Sequence, residues 1–142
     1  MTIEEAIQIA AAAHNGQKEK NGNPYIFHPL RVMLAVKTDP QRMAAVLHDV
    51  VEDTDVTLED LKSSGFPAEV VHAVDLLTKR PGESRLDAAR RAVTDPIARA
   101  VKLADVTDNM DLSRIPAPTA KDFSRLAEYE KVRLILEGGD GE

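Results

Sequence analysis

Apolar residues recur along the chain at helical spacing, separated by polar turn residues. Ile3, Ala6, Ile7, Ile9 and Ala10 fall on one side of a helix that Thr2 and Glu5 open as a capping box and that ends near Asn15-Gly16. Residues 17–24 form a polar loop rich in Lys, Asn and Gly. Tyr25, Ile26 and Phe27 lead into a second helix with Pro29 at an early position and Leu30, Met33, Leu34 and Val36 as its buried face. Asp39 and Pro40 read as N-cap and first residue of a third helix, which continues through Met43, Val46, Leu47, His48, Asp49 and Val50 to Asp53. Thr57 caps a short helix that stops at Ser63-Ser64-Gly65. Pro67 starts another, apolar at Val70, Val71, Val74, Leu76 and Leu77. A charged, more exposed helical stretch spans residues 85–91, and Asp95-Pro96 begins a helix through Ile97, Ala100, Val101, Leu103, Ala104 and Val106. Beyond a loop marked by Pro116 and Pro118, Thr119 opens a last helix ending at Gly138-Gly139, with Phe123, Leu126, Tyr129, Val132, Leu134 and Ile135 inward. No stretch alternates with period two, so the pattern predicts an all-α domain of about six to eight helices.

Composition narrows this further. A chain of 142 residues fits one domain with a substantial core, spanning 1–142. Aromatics make up 4% and Trp is absent, so the core is built from Ala, Val, Leu and Ile, which suits closely packed helices. The absence of Cys excludes disulfides, thiolate metal sites and a Cys nucleophile. A net charge of −6 argues against a nucleic-acid partner, which needs a basic face. The N-terminal stretch is acidic and amphipathic rather than signal-like, and no apolar run reaches membrane-spanning length. The expectation is a cytoplasmic protein without a membrane partner. The sequence does not specify an oligomeric state.

The chemistry concentrates in Leu47-His48-Asp49-Val50-Val51-Glu52-Asp53, four ionisable groups among aliphatic residues. On a helix, His48 lies one turn from Glu52 and Asp49 one turn from Asp53. Burying such groups is costly without a partner, and a metal ion is the commonest one. Of the four histidines, His14 reads as helix-terminal and His72 as partly buried and structural. His28 starts a helix after an apolar entry. In Val101-Lys102-Leu103-Ala104-Asp105, Asp105 interrupts an apolar stripe, with Lys102 and Asn109 on its face. Three helices thus offer an inward His, a His-Asp pair and an Asp. Two imidazoles and two carboxylates without sulfur suit a divalent ion such as Mn²⁺, with Mg²⁺, Fe²⁺ and Zn²⁺ as alternatives.

His28, His48-Asp49 and the distant Asp105 resemble the HD-domain metal phosphohydrolases. The blocks His14-Asn15-Gly16-Gln17, Gly22-Asn23-Pro24-Tyr25-Ile26-Phe27-His28-Pro29, Leu47 to Thr54, Leu77-Thr78-Lys79 and Lys102-Leu103-Ala104-Asp105 with Asn109-Met110 are similar, in that order, to the RelA/SpoT-type hydrolase domain and its small stand-alone alarmone hydrolases. The resemblance implies an HD-type helical bundle, a Mn²⁺ ion held by His28, His48, Asp49 and Asp105, and removal of the 3′-pyrophosphate from guanosine 3′,5′-bis(diphosphate). This length leaves no room for a synthetase domain. The resemblance further implies that Glu52 and Asp53 orient or deprotonate the attacking water, and that Lys18, Lys20 and Asn109 contact the phosphorylated nucleotide. The chain departs from the family pattern at Glu19, where a basic residue is usual, at Val106 in place of Arg, at Asp108 before Asn109, and at Asp111-Leu112. Two other readings therefore stand beside the first: a phosphohydrolase for another nucleotide or phosphoester, and a non-catalytic nucleotide-binding regulatory module.

Overall fold

The computed structural model describes residues 1–138, and the Gly139 at the expected end of the last helix lies outside them. The helices are α1 (Ile3–Ala13), α2 (Phe27–Ala35), α3 (Asp39–Leu47), α4 (Val50–Asp53), α5 (Leu58–Ser63), α6 (Ala68–Leu77), α7 (Arg85–Ala92), α8 (Pro96–Asn109) and α9 (Ala120–Gly138). A 3₁₀ turn, Leu112–Arg114, follows α8. No strand occurs among the described residues, and a single antiparallel bridge, Lys18 to Pro24, pins the first loop. None of the described helices is long and apolar enough to cross a membrane.

Capping signals locate most helix starts. Thr2, Thr57, Ser84 and Asp95 each accept a backbone N–H from the first turn of the helix that follows. At α3 the cap is Thr38 rather than Asp39. Its hydroxyl takes the Gln41 N–H and the Gln41 side chain returns the bond, moving Asp39 and Pro40 into the first turn. At Gly65, φ of +95° carries the chain out of α5, a conformation that side chains disfavour.

The central element is α3, whose Met43, Ala44, Ala45, Val46 and Leu47 are all buried. It packs against α1, α2, α6 and α8. The helices around it carry small buried residues (Ala6 and Ala10 of α1, Ala73 of α6, Ala98 of α8), so the core packs without large aromatics. α9 closes the bundle over α7 and α8 through Val132 and Leu136.

The helix expected to run from Asp39 to Asp53 is interrupted. A continuous α-helix would give the Ala45 carbonyl to the Asp49 N–H. Instead that carbonyl accepts the His48 N–H at 3.3 Å and His48 Nδ1 at 2.5 Å, and the chain restarts as the single turn α4. The break raises the α-helical segments among the described residues to nine, against about six to eight expected, within the all-α bundle anticipated. The inward faces also need correction. Leu34, Phe123 and Leu134 are 77%, 54% and 67% exposed, because Val32, Met33, Val132 and Leu136 take the core-facing positions of their helices. His72 is exposed on α6, with Val70, Ala73 and Val74 turned inward in its place.

Candidate metal centre and its cavity

Three segments converge at one end of the bundle. α2 contributes His28, the break between α3 and α4 contributes His48 and Asp49, and α8 contributes Asp105. His28, His48 and Asp105 are buried, and one donor atom each from His28, His48 and Asp49 lie within 4.8 Å of one another. Asp105 Oδ1 completes the group at 2.9 Å from His28 Nε2 and 3.4 Å from His48 Nε2.

The donor set fits a cation. A carbonyl oxygen can only accept, so His48 Nδ1 carries the hydrogen it gives to Ala45, which in the neutral ring leaves Nε2 a bare acceptor. Nε2 is buried without a hydrogen-bond partner, yet it lies 3.1 Å from Asp49 Oδ2 and 3.4 Å from Asp105 Oδ1. A buried lone pair facing two carboxylates is unfavourable unless a proton or a metal ion stands between them.

The charge balance agrees. Burial works against the charged His48 ring, but Asp49 and Asp105 outweigh it and raise its pKa well above the ordinary value. Burial likewise opposes ionisation of Asp105, and Lys102, with Nζ 3.1 Å from Oδ2, together with His48 and His28, holds the carboxyl well below its usual range. Asp49 is lowered too, His48 overcoming the effect of burial. Its Oδ2 accepts the Tyr25 hydroxyl at 2.5 Å, and burial and that carboxylate push the phenol pKa upward.

Glu52 and Asp53 sit on α4 immediately beyond these groups and line the same cavity. Glu52 Oε1 accepts the Lys79 N–H at 2.8 Å, tying α4 to the loop after α6. Burial, then Asp49 and Glu52, push the Asp53 carboxyl up to about 6. The cavity is about 420 Å³. Basic side chains of Lys18, Lys20, Arg85, Lys102, Arg114 and Arg125 line it. Lys20 is already engaged, its Nζ 2.5 Å from Asp122 Oδ1, whereas Lys18 is exposed at the rim. Asn109 Nδ2 donates to Asp105 Oδ1 at 3.3 Å and borders the cavity. His14 ends α1 as expected and pairs with Gln17 at 2.9 Å, outside the cluster.

Four participants were not singled out from sequence: Tyr25, Arg31, Arg114 and Asp122. Tyr25 stands one turn before His28, and that spacing was the available signal. The others are joined to the site by contacts 6 to 102 residues apart, which local pattern does not reveal.

An all-α bundle that gathers two imidazoles and two carboxylates beneath a basic-rimmed cavity has the fold and donor set of an HD-type domain with a candidate metal centre. The chain belongs to the HD domain family, which residues 6–127 match. It is 36% identical over 152 residues to a mouse protein, guanosine-3′,5′-bis(diphosphate) 3′-pyrophosphohydrolase MESH1, covering 96% of this chain and 84% of that protein. It is 42% identical over 148 residues to a GTP pyrophosphokinase of Streptomyces coelicolor, covering 95% of this chain but 16% of that protein. A Vibrio cholerae guanosine-3′,5′-bis(diphosphate) 3′-pyrophosphohydrolase is 36% identical over 122 residues, 76% of this chain and 17% of its own length. The chain thus spans about a sixth of these two bacterial relatives. Among solved structures, a metazoan orthologue of SpoT described as hydrolysing ppGpp superposes with a TM-score of 0.79 at 27% identity, over 98% of this chain and 87% of that one.

Proposed function

We propose that this chain is a single hydrolase domain that removes the 3′-pyrophosphate from guanosine 3′,5′-bis(diphosphate) and its pentaphosphate analogue, giving GDP or GTP and pyrophosphate. The observation that carries the metal-dependent part is the buried, partnerless His48 Nε2 aimed at Asp49 and Asp105 beside His28. The substrate assignment is supported by the likeness to the mouse hydrolase over most of both chains.

His28, His48, Asp49 and Asp105 would hold the ion, and Mn²⁺ suits their nitrogen and oxygen donors. A divalent ion there supplies Lewis acidity, lowering the pKa of a water and screening the charge of the attacked phosphate. Asp53, whose carboxyl burial and its acidic neighbours push up to about 6 in the metal-free protein, lines the same cavity, and its ionised form takes a proton from that water. Glu52, steadied by the Lys79 N–H, orients the water from the same turn. Water oxygen bonds to the phosphorus attached to ribose O3′ as Asp53 takes its proton, that P–O bond breaks, and O3′ leaves with a proton drawn from solvent, to which Asp53 returns its own. Lys18, Lys20 and Asn109 border the path of the phosphates, Lys20 on release from Asp122.

The test is pyrophosphate release from guanosine tetraphosphate by Mn²⁺-loaded protein, with Asp49→Ala expected to abolish it. Full activity in that variant would overturn the metal mechanism. Glu19 favours a second reading, in which the same site acts on another nucleotide or phosphoester. Its carboxylate occupies the loop where the resemblance expects a base, and it pairs with Arg31 at 2.5 Å. Release of orthophosphate alone, from simple nucleotides, would select that reading. Binding without turnover of either substrate would select a regulatory module, which the presence of both Glu52 and Asp53 disfavours.

A further inference from the structure

Asp108 lies one turn beyond Asp105 on α8 and has no part in the reaction described above. Its carboxylate, 11% exposed, meets three partners. His28 Nδ1 is 2.7 Å from Oδ2. Arg31 donates to it twice, Nε to Oδ1 at 2.8 Å and Nη2 to Oδ2 at 3.1 Å. Arg114 Nη2 reaches Oδ2 at 3.2 Å and the Asp108 carbonyl at 2.9 Å. Arg31 is itself held from the other side by Glu19, Nη2 to Oε1 at 2.5 Å. Glu19, Arg31, Asp108 and His28 therefore form one connected chain from the first loop to the metal cluster.

The direction of the last link is fixed by chemistry. An ionised carboxylate only accepts, so the hydrogen belongs to His28 Nδ1. The nitrogen left to face Asp105 at 2.9 Å and Asp49 at 3.8 Å is Nε2. We propose that Asp108 is a positioning residue for His28, holding the ring and its tautomer so that Nε2 is presented to the ion, and that Glu19 and Arg31 act by holding Asp108. The proposal rests on the metal reading above. Ligating imidazoles commonly donate their other N–H to a carboxylate, and losing that partner costs ~10- to 100-fold in metal affinity. It also gives two departures from the family pattern, Glu19 and Asp108, a common physical purpose.

The experiment is Mn²⁺ titration of the full chain by calorimetry for the wild type, Asp108→Ala, Asp108→Asn and Asp111→Ala, with helical circular dichroism checking each fold. Asn keeps an acceptor oxygen at the same reach without the charge. Asp111 is a nearby exposed carboxylate that pairs with Arg114 and does not touch His28. D108A is expected to bind Mn²⁺ ~10- to 100-fold more weakly, D108N to regain most of that loss, and D111A to match the wild type. In Zn²⁺-loaded protein, a slowly exchanging His28 Nδ1 proton is expected by nitrogen-15 NMR in the wild type and D108N, and not in D108A. Equal affinity in the wild type and D108A overturns the proposal, as does D108N binding no better than D108A. If D108A fails to fold, Arg31→Gln asks the same question, and unchanged Mn²⁺ affinity in it is the contradicting result. Failure of the wild type to bind either metal is a different outcome, seen without any variant, and removes the metal reading together with this proposal.

Discussion

Asp53 and Glu52 stand side by side on one turn, yet their surroundings differ. Glu52 accepts a backbone N–H, while burial, Asp49 and Glu52 together push the Asp53 carboxyl up to about 6. A carboxyl raised in this way is neutral below that value and ionised above it. In metal-free protein, carbon-13 NMR of the Asp53 carboxyl should therefore give a midpoint near pH 6, and added divalent ion should move it down. With the ion bound, Asp53→Asn should lower kcat by ~10²- to 10⁴-fold, the range for losing a general base. A kcat unchanged in that variant would transfer the base role elsewhere. The candidate ligands were legible because imidazoles and carboxylates inside apolar stripes are conspicuous. Asp108 was visible only as a departure, since its partners His28 and Arg31 lie 80 and 77 residues away.

At the scale of elements, function depends on where helices stop. The break after Leu47 lets His48 donate to Ala45 and turns Asp49 toward Tyr25 and the cluster. Start signals such as Thr57 and Asp95-Pro96 were readable because a cap acts within three residues. The break was not, because it depends on a side chain taking a carbonyl from its own helix. A second stop is stapled by Arg91 of α7, which donates to the Leu76 and Thr78 carbonyls at 3.0 Å each and pairs with Glu83. Arg91→Ala should cost ~1–3 kcal/mol of unfolding free energy in a urea titration, by removing the donor that the part-buried Leu76 carbonyl and Glu83 carboxylate face, while Thr78 keeps its bond from Arg80. It should also loosen the Lys79 N–H that holds Glu52. The loop of residues 17–24 is tied to α9 by Lys20 and Asp122. Burial aside, the Lys20 ammonium and the Thr119 N–H hold the Asp122 carboxyl down at about 2. Because that pKa is depressed, the bond stabilises the fold above the ordinary carboxylate value and is lost as pH falls toward 2. The stability gap between the wild type and Asp122→Asn, measured by denaturation, should accordingly be present at pH 6 and shrink below about pH 4.

Across the whole molecule, α3 is the shared wall of the core and the floor of the site. Leu47 is fully buried and immediately precedes His48. Leu47→Ala should destabilise the protein by ~2–5 kcal/mol, from lost burial and the cavity left behind. The all-α class and the order of the helices followed from spacing and caps alone. The outward positions of Leu34, Phe123 and Leu134 did not, since single apolar residues on a surface carry no periodic signature. The arrangement brings a buried His and Asp cluster, the candidate cation site, to the meeting of three segments, with an acidic pair one turn away and basic groups lining the same cavity. The most direct test of that account is a Mn²⁺ titration of chelated, metal-free protein, following pyrophosphate and GDP formed from guanosine tetraphosphate in the same samples. The account predicts no product without metal and stoichiometric pyrophosphate and GDP that rise together and saturate as the metal site fills. Full turnover in the chelated protein, or a filled site that yields neither product, would contradict it.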